Sequence, residues 1–446
     1  MTGELRRRWF DDRDRRILAL AVPALAGLAV EPLYVLVDTV IVGHLGKSPL
    51  GGLALASTVL TLSFWLFQFL STGLATKVAF RAGQGDRAGG ARIAMQGLWL
   101  ASLLGPVVAA AIYAMTPAAV RFLGGRGAIS TAARTYLRIS AVGIPFVFIA
   151  LVGIGYFRGR SDTRTPMRVA VVANIVNVVL EVVLVYGFDT GVAGSAWGTV
   201  IAQAFAAGWF GLLLRRALQG CDLRPDPVVM RSLVDIAPAL FLRTAAIIGV
   251  FVLATRAAAR IGDESLGGHQ IAMNLFTFLA LSTDALAVAA QAMVGNLLGA
   301  GDRGELRAVV TRLIRLGWIT GVALAVAVIV AAPFAPAAFT SAGDVRSRAT
   351  VAMVLLGVMQ IAGALTFVFD GVLFGAGDFA YLQRASFGAF LVFLPAFFVA
   401  QRARGSGLWI VWVGLNIWML ARLLGNWRRV RGARWIDRAI APAVSG

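Results

Sequence analysis

Twelve apolar runs, each long enough to cross a hydrocarbon core, constrain this sequence more than any other feature. A helix needs about 20 mostly apolar residues for that crossing. Runs of this kind lie at 17–43, 50–76, 92–115, 134–157, 169–188, 191–214, 233–258, 266–297, 311–335, 349–376, 380–401 and 406–425. Breakers separate them, among them Gly46-Lys47-Ser48-Pro49, Gly124-Gly125-Arg126-Gly127, Gly301-Asp302-Arg303-Gly304 and Arg404-Gly405-Ser406-Gly407. The expected fold is an all-α polytopic membrane protein with 12 transmembrane helices. Composition agrees: 59% of the 446 residues are hydrophobic and 14% are charged, against roughly 25% charged in a soluble domain. Cys221 is the single cysteine, and His44 and His269 are the two histidines. That excludes an internal disulfide framework and leaves little for a Cys- or His-rich metal site. The first run follows a basic stretch, but it is too long for a signal peptide and carries Glu31 and Asp38, so an uncleaved first span is expected.

The net charge of +19 would suggest nucleic acid on a soluble chain. Here the arginines sit in short patches between apolar runs, so cytoplasmic loops are expected and a nucleic-acid partner is not. With the N-terminus inside, the inner segments hold 29 of the 41 Lys and Arg residues, Arg422 counted among them. The outer segments hold 11, and Arg243 falls within a span. Both termini are expected in the cytoplasm.

The chain also repeats itself. Gly83-Gln84-Gly85-Asp86-Arg87 returns as Gly299-Ala300-Gly301-Asp302-Arg303. The same shift in numbering joins Gly159-Arg160-Ser161-Asp162 to Gly375-Ala376-Gly377-Asp378, and Leu50-Gly51-Gly52 to Leu266-Gly267-Gly268. A constant offset across separate matches indicates duplication. The expected organisation is a cytoplasmic N-terminal segment 1–16, an N-lobe 17–214, a cytoplasmic linker 215–232, a C-lobe 233–425 and a basic cytoplasmic tail 426–446. Six spans per lobe is an even number, so the repeats are parallel and their pseudo-two-fold axis runs along the membrane normal. Transporters use this plan, although a channel or a membrane enzyme can also be duplicated.

Polar residues inside spans are costly in lipid and mark candidate sites. Glu31, Tyr34 and Asp38 share one helical face of the first span, and Asn174, Asn177 and Glu181 share one of the fifth. At 1.5 Å per residue, Asp38, Glu181 and Thr199 of the sixth span reach about 8–12 Å below the outer end. Two carboxylates in a poorly solvated site cannot both ionise cheaply, so they titrate as a unit. Such a pair can take a proton from outside and lose it inside, exchanging it for a cation. The same oxygens could hold Na⁺. In the C-lobe, Arg243, Asp284 and Asp370 lie about 10–16 Å from the inner end. Arg243 is expected to pair with Asp284 or Asp370 and to be the one basic residue deep in a span. His269 lies on the same helix as Asp284 and is expected near the outer interface.

These features resemble the multidrug and toxic compound extrusion (MATE) family, within it the DNA-damage-inducible F branch. The segment from Pro32-Leu33-Tyr34 through Val37-Asp38-Thr39 to His44-Leu45-Gly46 carries the resemblance most strongly. Arg158-Gly159, Asp162-Thr163-Arg164-Thr165-Pro166, Gly191-Val192-Ala193-Gly194-Ser195-Ala196, Leu242-Arg243-Thr244 and Asp370-Gly371-Val372-Leu373 add to it. The resemblance implies an inner-membrane exporter of amphipathic, often cationic compounds, driven by an inward H⁺ or Na⁺ gradient. It implies Asp38 as the proton carrier, with Tyr34, Asn177, Glu181 and Thr199 around it, and Pro23 as the point where the first helix bends on protonation. The chain departs from the family in carrying Glu181 where related transporters often carry Asp. It also carries Arg243 where a C-lobe sodium site would need an acid, which favours H⁺.

The expected function is secondary-active multidrug efflux by alternating access, exchanging amphipathic cations for H⁺. Asp38 is expected to be the main proton carrier, with Glu181, Asn174 and Asn177 tuning its pKa. The alternatives are a Na⁺-coupled exporter and a lipid-linked precursor flippase, with a channel or membrane enzyme less in keeping with the residues. No cofactor beyond the coupling ion is expected. The expected partners are small amphipathic substrates and membrane lipids, the expected state a monomer, and the expected location the inner membrane of a bacterium.

Overall fold

The computed structural model describes residues 11–403 and 407–444. Arg6, Arg7 and Arg8 and the breaker Arg404-Gly405-Ser406 lie outside the described residues. All regular structure among the described residues is helical. In hydrocarbon a helix satisfies its own backbone N–H and C=O groups, and an open strand does not. The helices are α1 (Asp12–Gly43), α2 (Lys47–Phe67), α3 (Phe69–Gly83), α4 (Arg87–Phe122), α5 (Gly127–Gly159), α6 (Arg164–Val182), α7 (Gly191–Ala217) and α8 (Pro227–Val234). They continue as α9 (Ala237–Ile261), α10 (Asp263–Ala300), α11 (Arg303–Ala331), α12 (Gly343–Gly375), α13 (Phe379–Ala400), α14 (Leu408–Arg431) and α15 (Arg434–Val444). A π-helical turn, Val183–Gly187, follows α6. Among the described residues twelve segments are long and apolar enough to cross a membrane, as the sequence predicts.

The duplication sets the helix registers. Helix α4 starts at Arg87 and α11 at Arg303, and α5 (Gly127–Gly159) reappears as α12 (Gly343–Gly375), both by the shift that carries Gly83 to Gly299. The repeated G-x-G-D loops serve as helix stops and starts. Gly85 and Gly301 take left-handed φ values of 75° and 71°, which only glycine adopts freely. The aspartate that follows caps the next helix: Asp86 Oδ1 accepts from the Gly89 N–H at 2.7 Å, and Asp302 Oδ1 from the Glu305 N–H at 2.9 Å.

The chain divides into two compact units, Pro23–Ala237 and Met1–Val22 with Pro238–Gly446. The first boundary differs from the expected 17, because α1 runs unbroken from Asp12 and its first turns are held in the C-terminal unit. Arg13 grips Glu305 (Nη2–Oε2 2.7 Å), Arg312 reaches Asp14 at 3.3 Å, and Ile17 is fully buried. The expected linker is also more than a tether. Asp226 caps α8 by accepting from the Val228 and Val229 N–H groups, and it pairs with Arg92 of α4 at 2.7 Å. Those backbone N–H groups, Val229 first, together with Arg92, hold its carboxyl below the usual carboxylate range.

Each unit is built round one central helix. In the N-terminal unit α5 packs on α2, α3, α4 and α7; in the C-terminal unit α12 packs on α10, α11 and α14. Helices in lipid associate by close backbone approach at small residues. A Cβ at Gly155 would fall 2.7 Å from the Ser71 carbonyl oxygen, and one at Gly371 would fall 2.7 Å from Ala287 Cα. The repeat shift relates the two glycines to each other, and it relates their two partners as well. Gly371→Ala is expected to lower stability by about 1–3 kcal/mol through overpacking. Gly208→Ala, with nothing within 4 Å of its Cβ, should not. Thermal unfolding of the two purified variants tests the contrast, and equal midpoints would contradict it.

Candidate functional site

The polar faces of α1, α6 and α7 meet inside the N-terminal unit. Asp38 is 4% exposed and Glu181 is fully buried. Asp38 Oδ1 accepts from Ser195 Oγ at 2.5 Å and Oδ2 from Tyr136 Oη at 3.3 Å. Glu181 Oε1 accepts from Asn177 Nδ2 at 3.3 Å. Glu181 Oε2 meets no donor among the described residues, and its carboxyl lies within hydrogen-bonding reach of Asp38. Two ionised carboxylates are acceptors only, so a bond between them requires a proton on one of the two. The extra methylene of Glu181 does not keep it from Asp38.

Thr199 ties the pair to the first helix. Its hydroxyl donates to the Ser195 carbonyl at 3.2 Å. That single proton is then used, so Tyr34 Oη donates to Thr199 Oγ1 at 2.8 Å. Asn177 Nδ2 reaches the same oxygen at 3.4 Å. Helix α7 can come this close because it is thinned at Gly194 and Gly198. A Cβ at Gly198 would lie 3.0 Å from Glu181 Cγ. The π-helical turn begins two residues after Glu181, and its Tyr186 donates to the Ile41 carbonyl of α1 at 3.0 Å.

Beside the pair lies a cavity of about 290 Å³. Tyr34, Asn177 and Thr199 form the wall on the side of the acids, and Glu31, Gln68, Asn174 and Gln203 add further polar groups. Asn174 sits on this wall with its amide bonded to the Ala170 carbonyl of its own helix at 2.8 Å. It is placed on the cavity rather than on the acids.

The C-terminal unit holds an ion cluster. Asp370 Oδ2 accepts from Arg243 Nη2 at 2.6 Å and from Arg422 Nη2 at 2.7 Å, and Oδ1 from Asn426 Nδ2 at 2.7 Å. Asp284 adds its charge to the field at Arg422. Arg243 lies over the Phe374 ring at 4.9 Å and Arg422 over Trp418 at 5.0 Å.

The MatE family profile matches residues 23–183 and 239–399. The chain belongs to the MatE family. Its two matched stretches are offset by the period of the sequence repeat. Protein DETOXIFICATION 44, chloroplastic, of Arabidopsis thaliana is 30% identical over 92% of this chain and 81% of its own length. DNA damage-inducible protein F of Escherichia coli K12 is 28% identical over 93% of this chain and 92% of its own. A solved structure of MATE in the bent conformation superposes with a TM-score of 0.88 at 20% identity, covering 96% of this chain and 97% of that one. This MatE chain therefore has the two-lobe MATE fold, and its family is one of multidrug transporters.

One expectation is corrected. Arg243 is not the one basic residue deep in a span, because Arg422, counted with the inner segments, is 3% exposed within α14. Arg422 stands three residues before the end of the apolar run 406–425, but the helix continues to Arg431, so Arg422 is well inside it. His269 lies six residues into α10, at the end where the sequence places it. It is fully buried, 3.2 Å from Thr255 Oγ1 and against the Trp412 ring. Tyr136 and Ser195 carry the Asp38 bonds, and sequence reasoning misses both as site residues. The i, i+4 spacing of Ser195 and Thr199 is a signal that would have found one of them. Removing Arg422 leaves Arg243 alone against two carboxylates, Asp370 and Asp284, so Arg422→Ala is expected to cost about 3–5 kcal/mol. A thermal midpoint unchanged from wild type in detergent would contradict that.

Proposed function

We propose that this MatE chain is a secondary-active exporter that exchanges amphipathic cations for inward H⁺ by alternating access. The buried Asp38–Glu181 pair carries the proton. The observation that supports this most is a shared hydrogen-bonding position between two carboxyls in a site closed by Ser195, Tyr136 and Asn177. Such a pair changes its proton count one step at a time as its surroundings change. The exporter works as a monomer in a bacterial inner membrane with both termini cytoplasmic, the orientation favoured by the distribution of Arg and Lys. It needs no cofactor besides the coupling ion, and its substrates are small molecules.

Na⁺ coupling is the second reading. Glu181 Oε2 and Asn177 Oδ1 are buried oxygens with no donor among the described residues, and oxygens of this kind suit a hard cation. A lipid-linked precursor flippase fits less well, because Arg243 and Arg422 are both held on Asp370.

Proteoliposomes with an imposed pH gradient and no sodium separate these readings. Ethidium movement and lumenal pH are followed together. Wild type is expected to show opposite, coupled fluxes, and Asp38→Asn to abolish them while remaining folded. Fluxes that appear only under a sodium gradient favour the second reading. Coupled H⁺ exchange that survives in Asp38→Asn would refute the assignment of the carrier.

A further inference from the structure

Glu31 has no place in the proton pair. It lies twelve residues before Gly43 on α1, about 18 Å from that end and so near the middle of a roughly 30 Å core. A carboxylate at that depth is costly unless it meets a partner or serves a ligand. Among the described residues Glu31 takes part in no ion pair and accepts no hydrogen bond. Its side chain is exposed, and it lines the 290 Å³ cavity. Arg158 lines the same cavity but has a partner of its own. Much of the remaining wall is apolar, with Leu28, Phe64 and Leu151 among its residues.

Neither Asp38 nor Glu181 lines that cavity. Their carboxyls are closed off by Ser195, Tyr136 and Asn177. A molecule in the cavity therefore meets Glu31 directly and the proton pair only through the shared wall of Tyr34, Thr199 and Asn177. An apolar cavity with one unpaired carboxylate suits an organic cation of modest size.

We infer that Glu31 is the counter-ion for the positive charge of the substrate, in a site separate from the proton pair but on the same face of α1. This rests on the cation-exchange reading above. It makes Glu31 a determinant of cation selectivity rather than a proton carrier.

The test is equilibrium dialysis of the full-length protein in detergent with two probes of one shape. Benzyltrimethylammonium carries the charge, and neopentylbenzene is its uncharged carbon counterpart. Wild type is expected to prefer the cation. Glu31→Gln should weaken cation binding by about tenfold or more and leave the neutral probe unchanged, which also reports an intact cavity. Glu31→Asp should keep most of the preference. If wild type shows no preference for the cation, the cation-exchange reading and this inference fall together. If wild type prefers the cation and Glu31→Gln binds it equally well, only the role of Glu31 falls. Equal weakening of both probes in Glu31→Gln would also overturn it, since that marks lost packing and not a lost charge.

Discussion

The architecture of the N-terminal unit follows from the difficulty of burying two carboxylates together. Each charge taken out of water must be repaid by donors at close range, and a shared proton relieves the rest. Those donors come from three helices, so the helices must approach more closely than ordinary side chains allow. Gly194 and Gly198 thin α7 against α6, and a Cβ at either would meet the Leu184–Val185 backbone or Glu181. The π-helical turn after Glu181 inserts its extra residue where α6 must end and Tyr186 must reach back to α1. Insertions of this kind recur where a helix is bent to a function. The packing, the irregular turn and the hydroxyl network all serve one pair of oxygens.

Duplication would have produced two such sites, and the halves have diverged instead. The repeat shift that carries Gly83 to Gly299 turns Asp38, Tyr136, Asn177, Glu181, Ser195 and Thr199 into Ala254, Ala352, Phe393, Phe397, Val411 and Leu415. All six belong to the main apolar core of the C-terminal unit. The reverse also holds. Arg243, Asp284 and Asp370 correspond to Gly27, Gln68 and Ile154, which line the N-terminal cavity. Where one half keeps an open cavity beside a titratable pair, the other fills the equivalent positions with an ion cluster and packs hydrocarbon where the pair would be. A guanidinium bound at 2.6–2.7 Å on both sides of one carboxylate oxygen is a fixed structure, not an exchangeable one.

What could be seen in the sequence follows from periodicity. The spans, the repeat and the polar faces of α1 and α6 are one-dimensional patterns, and each appears in the structure. Whether Asp38 and Glu181 meet depends on α7 being narrow, and the glycines that make it so are common residues in any span. Tyr136 is silent because a single tyrosine in an apolar run is ordinary at a membrane interface. Arg422 is misplaced because it stands three residues before the end of its apolar run, where a basic residue reads as an inner flank, while the helix continues to Arg431. Polar residues at the ends of a span can belong to its interior when the neighbouring helix supplies a counter-charge. The unit boundary at Pro23 has no sequence signal beyond the proline itself, since α1 continues through it.

Separating the substrate charge from the proton raises the question of how one would sense the other. Glu31 and Asp38 are seven residues apart on α1, about 10 Å along its axis. At an effective dielectric of about 20, unit charges at that distance interact by roughly 1.7 kcal/mol. A cation that neutralises Glu31 removes that repulsion from the ionised form of the pair, which biases the pair toward losing its proton by somewhat more than about tenfold. On that reading a proton returning to the pair would restore the balance and weaken the hold on the cation by the same factor, because linkage is reciprocal. Coupling energies between sites are typically about 1–3 kcal/mol, so charge acting along one helix face is sufficient in size. The two ligands need not compete for the same oxygens, and the Tyr34–Thr199–Asn177 wall can keep the substrate from the proton while the field passes through it.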